Sequence, residues 1–234
     1  MKVIGLTGGI GTGKSTAAEY LKKKGFLHID ADEIGRQLTA DGSPMLDTLN
    51  DIFGPYGKYG EKGREIIKDD GSLDRQALAA LVFTDSERKA QLDEVMFKAI
   101  IAEIDDEIRR YNEGCTEIHD AETHVAGTCD AEKTADEALS NDESDIPGIM
   151  LDAPLLFEAG LESRCDIVLL LVADEDIRIK RVCMRDGADE QSVRDRINSQ
   201  MSDDEKMRRA DIIIDNSESR DDLIDKLDDF IRRL

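Results

Sequence analysis

Apolar and polar positions alternate along this chain with a period that switches repeatedly between strand-like and helix-like. Residues 2–7 form a short β-branched and apolar run that stops at Gly8, as a buried strand does. Over 15–24, Ala17, Ala18 and Leu21 give a helix an apolar side, and Gly25 suits its end. A second short strand is expected at 27–30, then helices at 33–39 and 44–53, separated by the breaker Gly42-Ser43-Pro44. Residues 54–63 hold four glycines and one proline and read as a loop. Amphipathic helices are expected over 73–83 and 86–111, and a third strand over 149–152, ending before Pro154. Residues 166–172 are almost continuously apolar, the pattern of a strand covered on both faces. Helices at 177–185 and 190–200 flank the turn Asp186-Gly187, and a last strand at 211–215 precedes a closing helix at 220–234. Strands that alternate with helices argue for an α/β fold with a parallel sheet; 234 residues, with no internal repeat, are enough for one larger domain or two small ones, and are taken as a single domain.

One segment breaks the pattern. Residues 112–147 carry eleven Asp or Glu against one Lys, and no aromatic residue. Such a composition does not bury enough apolar surface to offset its ordering entropy, so an acidic, flexible insertion is expected there. It contains Cys115, His119, His124 and Cys129, which together could ligate Zn²⁺ tetrahedrally. The spacing C-x3-H-x4-H-x4-C matches no standard zinc finger, which favours a solvated loop over a metal site.

Composition narrows the function classes. Hydrophobic residues make up 40% and aromatic residues 4%, with no Trp, so the core is expected to be built from Leu, Ile, Val and Ala. A net charge of −22 repels nucleic acid and anionic membrane, so neither is an expected partner. It repels ATP as well, so a phosphate site must carry its own positive charge. The four cysteines form no dense framework and no C-x-x-C pair, which points to a reducing cytoplasm. The opening MKVIGLTGG is too short for a signal-peptide apolar region, and no stretch approaches a membrane span. A cytoplasmic monomer or weak homo-oligomer acting on a small molecule is expected.

Gly8-Gly9-Ile10-Gly11-Thr12-Gly13-Lys14-Ser15 satisfies G-x-x-x-x-G-K-[ST] at every fixed position. In that pattern glycines let successive backbone N–H groups point into one concavity at a helix N-terminus, where phosphate oxygens bind. Gly11, Thr12 and Gly13 belong to this cradle, Lys14 reaches the β- and γ-phosphates, the Ser15 hydroxyl ligates Mg²⁺, and Thr16 adds a further hydroxyl. ATP with Mg²⁺ is the expected ligand. The chain lacks N-K-x-D and L-S-G-G-Q, which disfavours a GTPase and a transporter ATPase. Asp30-Ala31-Asp32 closes the second strand, at the sheet edge that faces ligand in open α/β folds. Asp32 there is either a proton acceptor or Mg²⁺ partner, or the N-cap of the following helix. Asp152, at the end of the third strand, is a candidate Mg²⁺ partner through water.

Ordered blocks of sequence then resemble one family. GLTGGIGTGKST, IDADEIGRQL, DGSP, DDGSLDRQALAALVF, PLLFEAGL, CDIVLLLV, IKRVCMRD, RINSQMSDDEK and ADIIIDNSES look like dephospho-CoA kinase, with PLLFE and DADEI the most diagnostic. The resemblance implies a P-loop kinase fold with a central parallel sheet flanked by helices, plus a helical substrate-binding region and a lid at about 178–200. It implies transfer of the ATP γ-phosphoryl to the 3′-hydroxyl of dephospho-CoA, the last step of coenzyme A biosynthesis. Asp32 matches the general base of that family, and Arg181 and Arg185 match its lid arginines, with Arg196 a further lid candidate. Asp211 and Asn216 fall near the adenine loop, or else start and end a strand. The family's His-Pro in the long helix is here Phe97-Lys98, and Phe97 reads as core. The competing readings are another P-loop nucleoside or nucleotide kinase and a non-catalytic nucleotide-binding module.

Overall fold

The computed structural model describes residues 1–114 and 147–234. The acidic segment, with its two Cys and two His, therefore lies almost wholly outside the described residues. Five strands, β1 (Val3–Gly8), β2 (Leu27–Asp30), β3 (Ile149–Asp152), β4 (Ile167–Val172) and β5 (Ile212–Asp215), form one sheet in the order β2-β3-β1-β4-β5. All four pairings are parallel. Parallel neighbours require crossovers that cover both faces, which is why β1 and β3 are buried along their whole length.

Alternate residues of β1 feed opposite layers. Ile4 and Leu6 join Leu21 of α1 (Lys14–Lys23) and Leu227 of α9 (Arg220–Ile231) on one face. Val3 joins Ile29, Ile34 of α2 (Ala31–Leu38) and Ile104 of α5 (Ser86–Asn112) on the other. A third cluster stands beside the sheet, where α3 (Pro44–Phe53) and α4 (Arg75–Val82) pack Leu49, Phe53 and Leu81 around Ile66. A fourth holds α6 (Glu175–Asp186) against α7 (Glu190–Asn198) through Ile179, Val182 and Val193.

Three details differ from the sequence expectation. Helix α2 begins at Ala31, and Asp30 is its N-cap, with Oδ1 accepting from the backbone N–H groups of Asp32 and Glu33 at 2.9 and 3.0 Å. The capping role considered for Asp32 is thus filled by its neighbour. Phe97 is half-buried and outside every core cluster. The stripe of α5 that packs on the core clusters runs through Leu92, Met96, Ile100, Ile104 and Ile108, of which Ile104 is fully buried, and Phe97 sits one residue off it. A short helix, α8 (Asp203–Arg209), stands where none was expected. Its buried residue is Lys206, so no apolar period announced it. The capping pattern did, since Ser202 Oγ accepts from Glu205 N–H, with acids in the first turn and bases in the last. Among the described residues, no helix is long and apolar enough to cross a membrane.

Candidate functional site

The carboxyl end of β1 runs straight into the glycine loop. Gly13 is the N-cap of α1 with φ 91°, a conformation a side chain resists, and among the described residues no side chain caps the helix. The first N–H groups of α1 are therefore left for an anion. Gly9 is needed for close approach, because a Cβ there would strike the Arg178 guanidinium. Gly11, Gly13, Lys14, Ser15 and Thr16 line a cleft of about 560 Å³. The Thr12 side chain does not. It is buried, and its hydroxyl donates back to Gly9 O at 2.8 Å, so that side chain shapes the loop from behind. Asn216 completes this backing: it is buried and its Nδ2 donates to Thr12 O at 2.8 Å.

Lys14 does not point free into the cleft. Its Nζ donates to Asp152 Oδ1 at 2.5 Å, across from β3. Burial raises the pKa of Asp152, but the His28 ring and the Lys14 ammonium outweigh it and hold the carboxyl below its ordinary 3.8. The β2–β3 register sets Asp30 beside Asp152, and His28 Nε2 approaches Asp152 Oδ2 to 3.5 Å without a well-formed hydrogen bond. Ligand atoms of His28, Asp30 and Asp152 lie within 4.8 Å of one another, a group that could hold a cation.

A second cavity of about 420 Å³ opens between α2, α3, α4 and α5, walled by Leu49, Leu78, Val82, Leu92 and Met96. Asp32 lines both cavities. With Asp30 capping the helix, the Asp32 carboxylate accepts no hydrogen bond among the described residues. Desolvation raises its pKa above the ordinary 3.8, against the pull of the Lys14 charge. Solvent in the open cleft screens this effect, and a ligand that fills the cleft strengthens it.

Arg181 and Arg185 share one side of α6 and both line the loop cleft. Arg181 Nη1 donates to Asn216 O at 2.9 Å and its Nη2 to Glu218 O at 3.4 Å, which anchors the guanidinium beside the cleft, while Arg185 is exposed and paired with Asp186 at 2.7 Å. Arg196 points to Asp186 at 3.4 Å and lies outside the cleft. Asp211 serves the sheet, where its Oδ2 accepts from Val168 N–H at 2.8 Å.

Sequence reasoning missed Arg178 and Gln200. Arg178 is 2% exposed, its Nε donates to Ile10 O at 2.8 Å, and its Nη1 pairs with Asp203 Oδ2 at 2.5 Å. Gln200 Oε1 accepts from Ile10 N–H at 3.1 Å. Both backbone groups at the loop apex are thereby held by the α6–α8 region. The available signal was a charge on the stripe Arg178-Ile179-Val182, where an apolar residue belongs.

The sequence and the fold also match known proteins. The family model described as dephospho-CoA kinase matches residues 2–121 and 130–222. The chain is 40% identical over 223 residues to a dephospho-CoA kinase of Corynebacterium glutamicum, covering 95% of this chain and 94% of that one. It is 34% identical to the dephospho-CoA kinase of Syntrophotalea carbinolica, covering 100% and 92%. A crystal structure from Thermus thermophilus superposes with a TM-score of 0.70 at 29% identity, covering 100% of this chain and 97% of that one. The dephospho-CoA kinase structure from Campylobacter jejuni shares the fold with a TM-score of 0.62 at 22% identity, covering 100% and 97%. On these matches, which span nearly the whole chain, the protein belongs to the dephospho-CoA kinase family.

Proposed function

We propose that this chain transfers the γ-phosphoryl of ATP to the 3′-hydroxyl of dephospho-CoA, giving CoA and ADP. The observation that carries this reading is the place of Asp32, an uncommitted carboxylate on the wall shared by the phosphate-loop cleft and the apolar pocket. A donor in one cavity and an acceptor in the other would meet there. The acceptor oxygen attacks the γ-phosphorus, the bond from that phosphorus to the β–γ bridging oxygen breaks, and Asp32 takes the hydroxyl proton. A raised pKa suits Asp32 to that task, since the proton is accepted more readily.

Backbone N–H groups of Gly11, Thr12 and Gly13 and the side chains of Lys14 and Thr16 would hold the phosphates. Lys14 would leave Asp152 to reach the γ-phosphoryl. Arg181 and Arg185 would answer charge that develops during transfer. The Ser15 hydroxyl lines the cleft and makes no hydrogen bond among the described residues, so it fits a Mg²⁺ ligand, and Asp152 pairs with the adjacent Lys14. When bound, the ion neutralises phosphate charge. The work of this reaction in a reducing cytoplasm fits Cys165, which is free and whose burial pushes its thiol pKa up to about 12, and Cys183, also free.

The test is an ATP-dependent phosphorylation assay with dephospho-CoA beside adenosine, AMP and shikimate, with products identified by mass. Dephospho-CoA should be the preferred acceptor by far. Preference for another acceptor would assign a different small-molecule kinase, and no transfer at all would favour a nucleotide-binding module.

A further inference from the structure

The proposed acceptor brings charge that the fold has to meet. Dephospho-CoA joins adenosine to a largely apolar pantetheine arm through a diphosphate, and a chain of net charge −22 repels it at long range. Local cations are needed where the diphosphate lies. Around the apolar pocket, Arg36 and Arg75 are the basic lining residues and Asp32 the acidic one. Lys98, beside Phe97, does not line it.

We propose that Arg36 and Arg75 form a diphosphate-binding subsite at the mouth of this pocket, with the apolar wall beyond them receiving the pantetheine arm. The inference rests on the acceptor proposed above. Arg36 follows Asp32 by four residues on α2, so the two share a face about 6 Å apart along the axis. A nucleoside diphosphate presents its 3′-hydroxyl and its 5′-phosphates in the same order and on a similar scale. Arg75 approaches from the first turn of α4. Its Nη2 donates to Thr39 Oγ1 at 2.9 Å and Thr39 O at 3.2 Å, and Thr39 is buried at the end of α2. One nitrogen of the guanidinium is thus spent on orientation. Nε and Nη1 have no protein partner among the described residues.

Arg36 is held beside Glu33, with Nε donating to Oε2 at 2.8 Å. Both side chains are exposed, so the pair is weak and easily exchanged for a phosphate. Guanidinium forks meet two phosphate oxygens at once, which a lysine cannot do.

The experiment titrates dephospho-CoA and adenosine into the full chain and its variants by calorimetry. Arg75→Ala and Arg36→Gln should each weaken dephospho-CoA by about 10- to 100-fold, the worth of a charge-assisted hydrogen bond, and adenosine by less than about 2-fold. Arg75→Lys should recover part of the loss. Glu33→Gln, which releases Arg36, should tighten dephospho-CoA by a few-fold. Thr39→Val reports on the alternative that Arg75 merely props α2 against α4. If Thr39→Val weakens both ligands as Arg75→Ala does, or if neither arginine variant loses dephospho-CoA affinity, the subsite is wrong. Turnover of dephospho-CoA by the unaltered chain is scored separately. Its absence would overturn the proposed reaction, while the contrast between the two titrated ligands would still decide the subsite.

Discussion

Replacing Arg178 with methionine isolates the grip of α6 on the phosphate loop. Methionine keeps an unbranched stem and loses the guanidinium, which is 2% exposed and serves Ile10 O at 2.8 Å and Asp203 at 2.5 Å. Two effects oppose one another. Losing a charge-assisted hydrogen bond to a carbonyl costs about 1.5–3 kcal/mol. Against this, the desolvation penalty of a buried cation disappears, and replacing such a group by an apolar one is often neutral. Asp203 keeps a third of its side-chain surface in solvent and can turn to water. Overall stability should therefore move by about 1 kcal/mol, or about 2–4 °C in melting temperature for a chain of this size. The loop apex has no such relief, because Ile10 is left with Gln200 alone. ATP affinity should fall by about 10-fold or more, the equivalent of about 1.4 kcal/mol. Arg178→Lys should return stability more fully than affinity, since a point charge pairs with Asp203 but does not also span to Ile10. ATP titration is run beside thermal denaturation. Unchanged ATP affinity in a folded Arg178→Met chain would refute the reasoning, as would affinity and stability that fall together in both variants.

Asp32→Asn should leave ATP affinity within about 2-fold and lower turnover by about 10²–10⁴, the scale of general base catalysis. Because Asp30 is the cap, the substitution should not destabilise the fold. Near-normal turnover would dismiss the base assignment. The raised Asp32 pKa also fixes a pH dependence. Turnover should fall as pH drops through a value above 3.8, and this limb should be absent in Asp32→Asn. Stability takes the opposite sign. The folded chain holds this proton more tightly than the unfolded one, so ionising Asp32 costs stability as pH rises through the raised pKa. Lys14→Ala should reduce turnover more than nucleotide affinity, since its contact matters most in the transition state, and steady-state kinetics with unimpaired rates would sink it. Arg181→Ala should likewise lower kcat by more than it raises the ATP Kd, with Arg181→Lys recovering part. If its kcat is normal, the charge must be answered by Arg185.

Legibility followed the range of the interaction. The glycine loop, the strand before it and the helix after it were readable because the motif is contiguous and its φ demands are local. The central strands β1, β3 and β4 were readable because burial on both faces leaves largely apolar runs such as Ile167–Val172. Asp32 was readable as a candidate, but not its freedom from capping, which turned on whether α2 starts at Ala31 or two residues later. What the sequence concealed depends on contacts between distant segments. The Lys14–Asp152 pair spans 138 residues, Arg178–Ile10 spans 168 and Asn216–Thr12 spans 204. No local period encodes such pairings. In α6 and α8 the hidden partners are charged residues on buried faces, Arg178 and Lys206, which a hydrophobicity pattern discounts.

The ion pair between Lys14 and Asp152 makes the site its own competitor. Any anion that takes Lys14 must first displace a carboxylate that is tethered to β3 and already in contact, so it contends with a rival at high effective concentration. A singly charged ion gains little from that exchange. A polyphosphate that met the loop N–H groups and Arg181 and Arg185 as well as the ammonium would gain on several fronts at once. The pair would thus select against simple anions without a physical barrier, with a threshold set by how many charges a ligand brings.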